Sequence, residues 1–141
     1  MKKAVIHIID THLSDGEKYT CELTTAGTLD FLDGAYTLTY DETDTELAGC
    51  TTTLKVDKNK TVTMTRSGKY NTALILEKER RHSCFYNPPF GELMMGIYAK
   101  RIESEMPENG GKLRFCYTID FNNDLASEND LSISVAVKEN D

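Results

Sequence analysis

KLRFCYTIDF, residues Lys112 to Phe121, decides the fold: Leu113, Phe115, Tyr117, Ile119 and Phe121 alternate with Lys112, Arg114, Cys116, Thr118 and Asp120. Successive side chains of an extended chain point to opposite faces, so a period of two builds one apolar face and one wet face. Cys116 is the soft spot on the wet side. The pattern returns at Leu131, Ile133, Val135 and Val137, which alternate with Ser132, Ser134, Ala136 and Lys138. Earlier in the chain Tyr36, Leu38, Tyr40 and Glu42 share a face, as do Thr52, Leu54 and Val56, and then Val62, Met64 and Arg66. The chain's 17 threonines suit the same pleated, half-buried surface.

Turn chemistry separates these runs: Asp15-Gly16, Asp33-Gly34, Asp57 to Asn59, Ser67-Gly68, Asn87-Pro88-Pro89, Asn109-Gly110-Gly111 and Asn122-Asn123. Hairpin-sized spacing of this kind predicts an antiparallel meander. That many one-faced strands cannot stay an open sheet without exposing the apolar face and two edges. The expected class is therefore all-β, an antiparallel up-and-down closed barrel of about eight to ten strands rather than a sandwich. Gly91 to Met106 also offers Leu93, Ile97 and Arg101 at helical steps. The alternating set Leu93, Met95, Ile97 and Ala99 favours a long strand bent at Gly96.

Residues 1–141 read as one domain, with only Lys138 to Asp141 expected to fray. Hydrophobic residues make up 39% and charged residues 28%, enough for a core but with no apolar surplus. The longest apolar stretches fall far short of the ~20 residues of a membrane helix, and the run from Ala4 to Ile9 after Lys2 and Lys3 is too short for a secretory signal. A cytoplasmic chain is expected. Its net charge of −7 argues against nucleic-acid binding, since phosphate would be repelled. The basic knot of Lys78, Arg80 and Arg81, interleaved with Glu77 and Glu79, reads as a solvated turn.

Cys21, Cys50, Cys84 and Cys116 form no Cys-x-x-Cys pair, which excludes a zinc ribbon or a thioredoxin-type motif and leaves them as small, reduced, buried fillers. His7 and His12 are separated by an odd step, so on one strand they face opposite sides and cannot share a metal. Asp120 to Asp124 starts like a calcium loop, but Leu125 stands where glycine is needed and Leu131 where the bidentate glutamate belongs. The acidic run Asp41 to Glu46 lacks that spacing too and reads as a solvated strand end. No Gly-x-Ser-x-Gly elbow or phosphate-cradling glycine loop occurs, so neither an enzyme nor a cofactor is expected. The aromatics Phe85, Tyr86, Phe90, Tyr98, Phe115 and Tyr117 lack a basic setting for stacking nucleic acid and read as packing groups.

The site expectation comes from the ends of two alternating rows. Arg66 ends Val62-Met64, and Glu42 ends Tyr36-Leu38-Tyr40, so both should point inward. A lone buried charge costs several kcal/mol, roughly, which predicts a pairing of Arg66 with Glu42 completed by the Tyr40 or Tyr117 hydroxyl. If the barrel takes an anionic small molecule, the Arg66 fork is the group expected to meet it.

The stretches AYTLTYDETD, CTTTLKV, VTMTRSGKYNTALILEKERRHSCFYNPPFGELMMGIYAKRIE and NGGKLRFCYTIDFNNDLASENDLSISV together resemble the YwiB-like family of small bacterial proteins, the domain of unknown function 1934. The resemblance spans roughly residues 2–138. Its most specific parts are the YDET strand end, the Arg66-x-Gly68 turn and the corner from Tyr86 to Gly91. At that corner this chain has Pro88-Pro89-Phe90-Gly91 where the family favours Thr-Pro-Tyr-Gly. The resemblance implies a calycin-like or lipocalin-like closed barrel and, at most, a cavity for a small ligand. The expected function is therefore binding of a small apolar or anionic ligand inside the barrel, with Tyr40, Glu42, Arg66 and Tyr117 as candidate contacts. The alternative is a protein interaction module using the barrel exterior or rim, without catalysis.

Overall fold

The computed structural model describes residues 1–42, 49–68, 72–86, 93–122 and 124–138. Ten strands follow one another: β1 (Lys2–Ser14), β2 (Glu17–Leu32), β3 (Ala35–Asp41), β4 (Cys50–Val56), β5 (Val62–Gly68), β6 (Thr72–Leu76), β7 (Arg81–Tyr86), β8 (Leu93–Glu105), β9 (Lys112–Phe121) and β10 (Asp124–Val137). They form one sheet in the order β6-β5-β4-β3-β2-β1-β10-β9-β8-β7. Every paired neighbour is antiparallel. The sheet curls until its two outer strands meet. The turn between β6 and β7 docks on β8, with the Glu79 amide donating to the Ala99 carbonyl at 2.8 Å and a parallel bridge between Lys78 and Ala99. The result is the expected up-and-down barrel, nearly closed.

The turn residues explain the tight hairpins. Asp15 and Gly16, and Asp33 and Gly34, have φ of 52°, 76°, 51° and 82°, the positive values that two-residue connections between right-twisted strands require. Asn122 follows suit at 53°. Ser67 and Gly68, by contrast, are not a turn but the end of β5, paired with Thr51 and Cys50. The corner Asn87-Pro88-Pro89-Phe90-Gly91 lies outside the described residues.

Alternation sets the interior as read from the sequence. Leu38, Leu54, Val56, Val62, Met64, Leu113, Phe115, Tyr117, Ile133 and Val135 are all buried, while Lys55 is exposed and Thr63 and Arg114 are half-buried on the outer face. These inward residues belong to one continuous core that also holds Ile6, Leu29, Leu76 and Ile97. Three expectations need correction. The irregularity of β8 is not at Gly96: the register shifts between Ala99 and Arg101, where Lys100 is the extra residue, so inward positions pass from Met95, Ile97 and Ala99 to Ile102. Gly96 has another use, since a Cβ there would collide with the Arg81 guanidinium, which crosses it to grip Asp120 through Nη2–Oδ1 at 2.7 Å and Nε–Oδ2 at 3.2 Å. Arg81 is thus a strand residue pairing across β8, not part of a solvated turn. Nor are the cysteines uniformly buried fillers. Cys50 is buried, but Cys21 is exposed, because β2 pairs with β3 only over Gly27 to Leu32 and its edge is open at Cys21, and Cys116 is half-buried on the outer face.

Candidate functional site

The up-and-down order gathers five connections at one end of the barrel, including β1 to β2, β3 to β4 and β5 to β6; this end is the mouth. The start of β1, the end of β10 and the other four connections lie at the opposite end. That lower half is apolar, with Ala4, Leu29, Val56, Val62, Leu76, Ile102 and Leu113 buried and Tyr36 bonded by its hydroxyl to Ser104. Near the mouth the inward rows turn polar.

Two cross-strand rows build this polar ring. On one wall Tyr40, Thr52 and Arg66 are direct partners across β3, β4 and β5. On the other, His12, Asn129, Tyr117 and Ala99 are partners across β1, β10, β9 and β8. Glu42 follows Tyr40, and Asp10 precedes His12, each by the two-residue step that keeps a strand residue on the same face. Glu42 and Arg66 are 7% and 21% exposed, so both expected charges do enter the interior. This corrects the reading of Glu42 as part of a solvated acidic strand end; residues 43–48 lie outside the described residues.

The expected pairing of Arg66 with Glu42 is present, at the outer limit of an ion pair. Arg66 Nε lies 4.0 Å from Glu42 Oε1, too far for a hydrogen bond. Glu42 Oε1 instead accepts the Thr52 hydroxyl at 3.0 Å. Arg66 Nε and Asp10 Oδ1 are buried with no hydrogen-bond partner. The Arg66 charge also acts on groups of the opposite wall, opposing the shifts of both Asp10 and Tyr117.

Burial dominates the proton affinities here. It raises the Asp10 carboxyl above the ordinary range, against the pull of His12 and Arg66 and with a contribution from Asp130. Tyr117 is pushed up to about 12 by burial, helped by the Asp10 charge and opposed by Arg66. Tyr40 is raised by burial and then by Glu42, with Arg66 and Thr52 in opposition. Both phenols are hydrogen-bond donors at neutral pH. The arrangement can therefore offer a ligand a guanidinium, two hydroxyl donors and one unanswered carboxyl. Perturbed titratable groups gathered in one place are a physical mark of a candidate binding site.

All four side chains expected from sequence, Tyr40, Glu42, Arg66 and Tyr117, come together. Sequence reasoning missed Asp10, His12, Thr52 and Asn129. The signal was present, since Ala4, Ile6, Ile8, Asp10 and His12 form one unbroken inward row, but a charged residue after an apolar run reads as the end of a strand. His7 takes the opposite face, as expected, and bonds Glu22 at 2.9 Å. Among the described residues no three His, Cys, Asp or Glu side chains come together as a metal-binding group. A solvent-open hollow of about 880 Å³ round Asp30, Thr37, Lys55 and Lys58 lies on the outer faces near the opposite end. None of the ring's side chains lines it.

Among the described residues no helix is long and apolar enough to cross a membrane. A search of curated proteins returns no match. Among solved structures, the ywiB protein from Bacillus subtilis superposes with a TM-score of 0.84 at 21% sequence identity, covering 98% of this chain and 93% of that one. At that identity the likeness shows a shared fold. The sequence family described as a domain of unknown function (DUF1934) matches residues 6–133, nearly the whole barrel from β1 into β10, and this chain belongs to that family.

Proposed function

We propose that the chain is a non-catalytic binding barrel, lipocalin-like in use, that takes a small anionic ligand at its polar mouth with Arg66 as the principal contact. The observation that carries this reading is the buried Nε of Arg66, 4.0 Å from Glu42 Oε1 and without a hydrogen-bond partner, inside a ring of hydrogen-bonding groups. A guanidinium in that state lacks a hydrogen bond worth ~1.5–3 kcal/mol when one partner is charged, and a carboxylate or phosphate oxygen supplies it. The Tyr40 and Tyr117 hydroxyls, held protonated, add donors of the same polarity. The continuous apolar core below favours a polar ligand at the mouth over an apolar one deep inside. The free thiols of Cys21 and Cys116 fit a reducing, cytoplasmic setting, and the net charge of −7 disfavours nucleic acid as a partner.

The interaction-module reading has weaker support. Exposed large apolar side chains such as Ile9, Leu32, Ile75, Met94 and Leu125 are spread over five strands, β1, β2, β6, β8 and β10. The test is native mass spectrometry of freshly purified protein beside Arg66→Met. A small anionic molecule bound to the wild type and lost from a folded variant supports the site. A bound molecule retained undiminished by Arg66→Met sinks it.

A further inference from the structure

One side of β2 is covered along only part of its length. The strand pairs with β1 from Glu17 to Leu29 without a register shift, but β3 takes up its other side only from Gly27 to Leu32. Glu17 through Glu22 are all exposed. Asp15 and Gly16 make a two-residue turn, so Ser14 and Glu17 form a hydrogen-bonded pair, and the outward amides and carbonyls belong to the alternate residues Lys18, Thr20, Glu22 and Thr24. Among the described residues no strand answers them. Such an edge is a template for another strand, and this one has neither a proline nor a bulge to blunt it. We propose that it pairs with the same edge of a second copy of the chain, antiparallel about a two-fold axis at Thr20, so that two barrels share one continuous sheet.

The charge pattern selects both the occupant and the register. About Thr20, Lys18 falls opposite Glu22 of the second copy and Glu22 opposite its Lys18, with threonine facing threonine at the axis. An axis at Lys18 sets lysine against lysine, and one at Glu22 sets glutamate against glutamate. Axes at Tyr19 and Cys21 leave both charges facing uncharged residues. The Cys21 axis also carries Gly16 of the second copy opposite Ala26, beside Asp41, whose carbonyl already accepts the Thr25 hydroxyl at 3.2 Å. About Thr20 that glycine stops opposite Thr24, short of the place β3 occupies. Glu22 holds His7 through Oε1 at 2.9 Å within its own hairpin, which leaves Oε2 for the lysine. On the same face Leu13 and Ile9, the β1 neighbours of Lys18 and Glu22, are large exposed apolar residues that border the new seam. On the other face Tyr19 stands opposite Cys21. Both are exposed in the single chain, and both pair across β1 with His12 and Asp10, so the two mouths come to lie side by side.

Sedimentation velocity across a concentration series tests the pairing. The wild type should pass from monomer to dimer, and a chain still monomeric at about 1 mM overturns the proposal. Thr20→Pro should keep the fold, because the amide it removes points away from β1, and should lose the dimer. Lys18→Glu should weaken the dimer roughly tenfold, since it sets like charges in both symmetric pairs, and adding Glu22→Lys should restore it. In Tyr19→Cys the new thiol should cross-link to Cys21 of the second copy when oxidised glutathione is added, because non-hydrogen-bonded partners lie within a disulfide's reach. Wild-type Cys21 is diagonal to its own copy at roughly 7–8 Å, beyond that reach, and should not cross-link. A dimer undiminished in a folded Thr20→Pro overturns the edge. A charge swap that fails to restore the dimer, or a wild-type link from Cys21 to Cys21, overturns the Thr20 axis. Should the proline variant not fold, the charge swap and the cross-link decide.

Discussion

Phe115 is fully shielded from water at the middle of β9, and nothing in its position is special except that the alternating row continues on both sides of it. Truncating it to alanine should cost on the order of 3–5 kcal/mol in a denaturant titration, the range for removing a buried aromatic from a packed core. Asp10 occupies an equivalent place in its own row and has the opposite effect. Its pKa is raised in the folded chain, above the 3.8 of an unburied carboxyl. The folded state therefore holds this proton more tightly than the unfolded state does. That contribution to stability is fully present below pH ~4 and is lost as pH rises through the folded pKa. Asp10→Asn should accordingly stabilise the protein at neutral pH, with the gain shrinking towards zero in acid; melting curves across that range read it directly. Both residues obey period two, but only Phe115 was legible. An apolar residue in an apolar row confirms the face it lies on. An aspartate in the same row reads as the strand's wet end until the partners across the lumen are known.

At the scale of single strands, local chemistry specified the hairpins and left the irregularities hidden. Asp-Gly pairs announce their turns, whereas the β8 bulge depends on Lys100, an ordinary exposed lysine whose sequence carries no mark of being the extra residue. Likewise Gly96 reads as a bend in a long strand, when what fixes it is a side chain arriving from β7. Arg81 spans β8 at that glycine to reach Asp120 on β9, stapling three strands on the outer face. An alanine at 96 would displace the far end of a flexible side chain rather than backbone, so its cost is loss of the staple. Gly110 differs: its φ is 107°, and a Cβ there would strike the Val135 carbonyl. Gly96→Ala should destabilise by roughly 1 kcal/mol and become nearly neutral in an Arg81→Met background, a coupling within the range seen for contacting groups. Gly110→Ala should cost more, and the Arg81 background should not change it. Equal, additive losses at both glycines would show that the guanidinium does not depend on Gly96.

For the whole molecule, turn spacing and one-faced strands were enough to specify a meander that must curl, and the sheet order follows the chain order with β1 and β10 joining its ends. Where the curl closes was not legible, because closure pairs residues distant in sequence whose local patterns are unremarkable. The seam is where β6 leaves β5 and β7 joins β8, pinned by the turn between them. Around that turn Glu77 accepts from His82 at 3.0 Å and pairs with Arg80 at 3.4 Å, while the Glu79 amide reaches Ala99. A ladder that elsewhere runs the length of each strand is thus reduced at the seam to a few bonds, so local opening there needs far less free energy than global unfolding. The interaction with His82, more than that with Arg80, holds the Glu77 carboxyl below its ordinary value of 4.5. Its contribution is therefore present above pH ~4.5 and lost as pH falls through the folded pKa. Amide exchange, corrected for intrinsic rates, should find the Glu79 amide exchanging ahead of those in β1 and β10, and its protection should drop further on acidification. Glu77→Gln should reproduce the acid behaviour at neutral pH. If Glu79 instead exchanges only with global unfolding, the seam is as strong as the rest of the wall and the barrel is closed energetically as well as in shape.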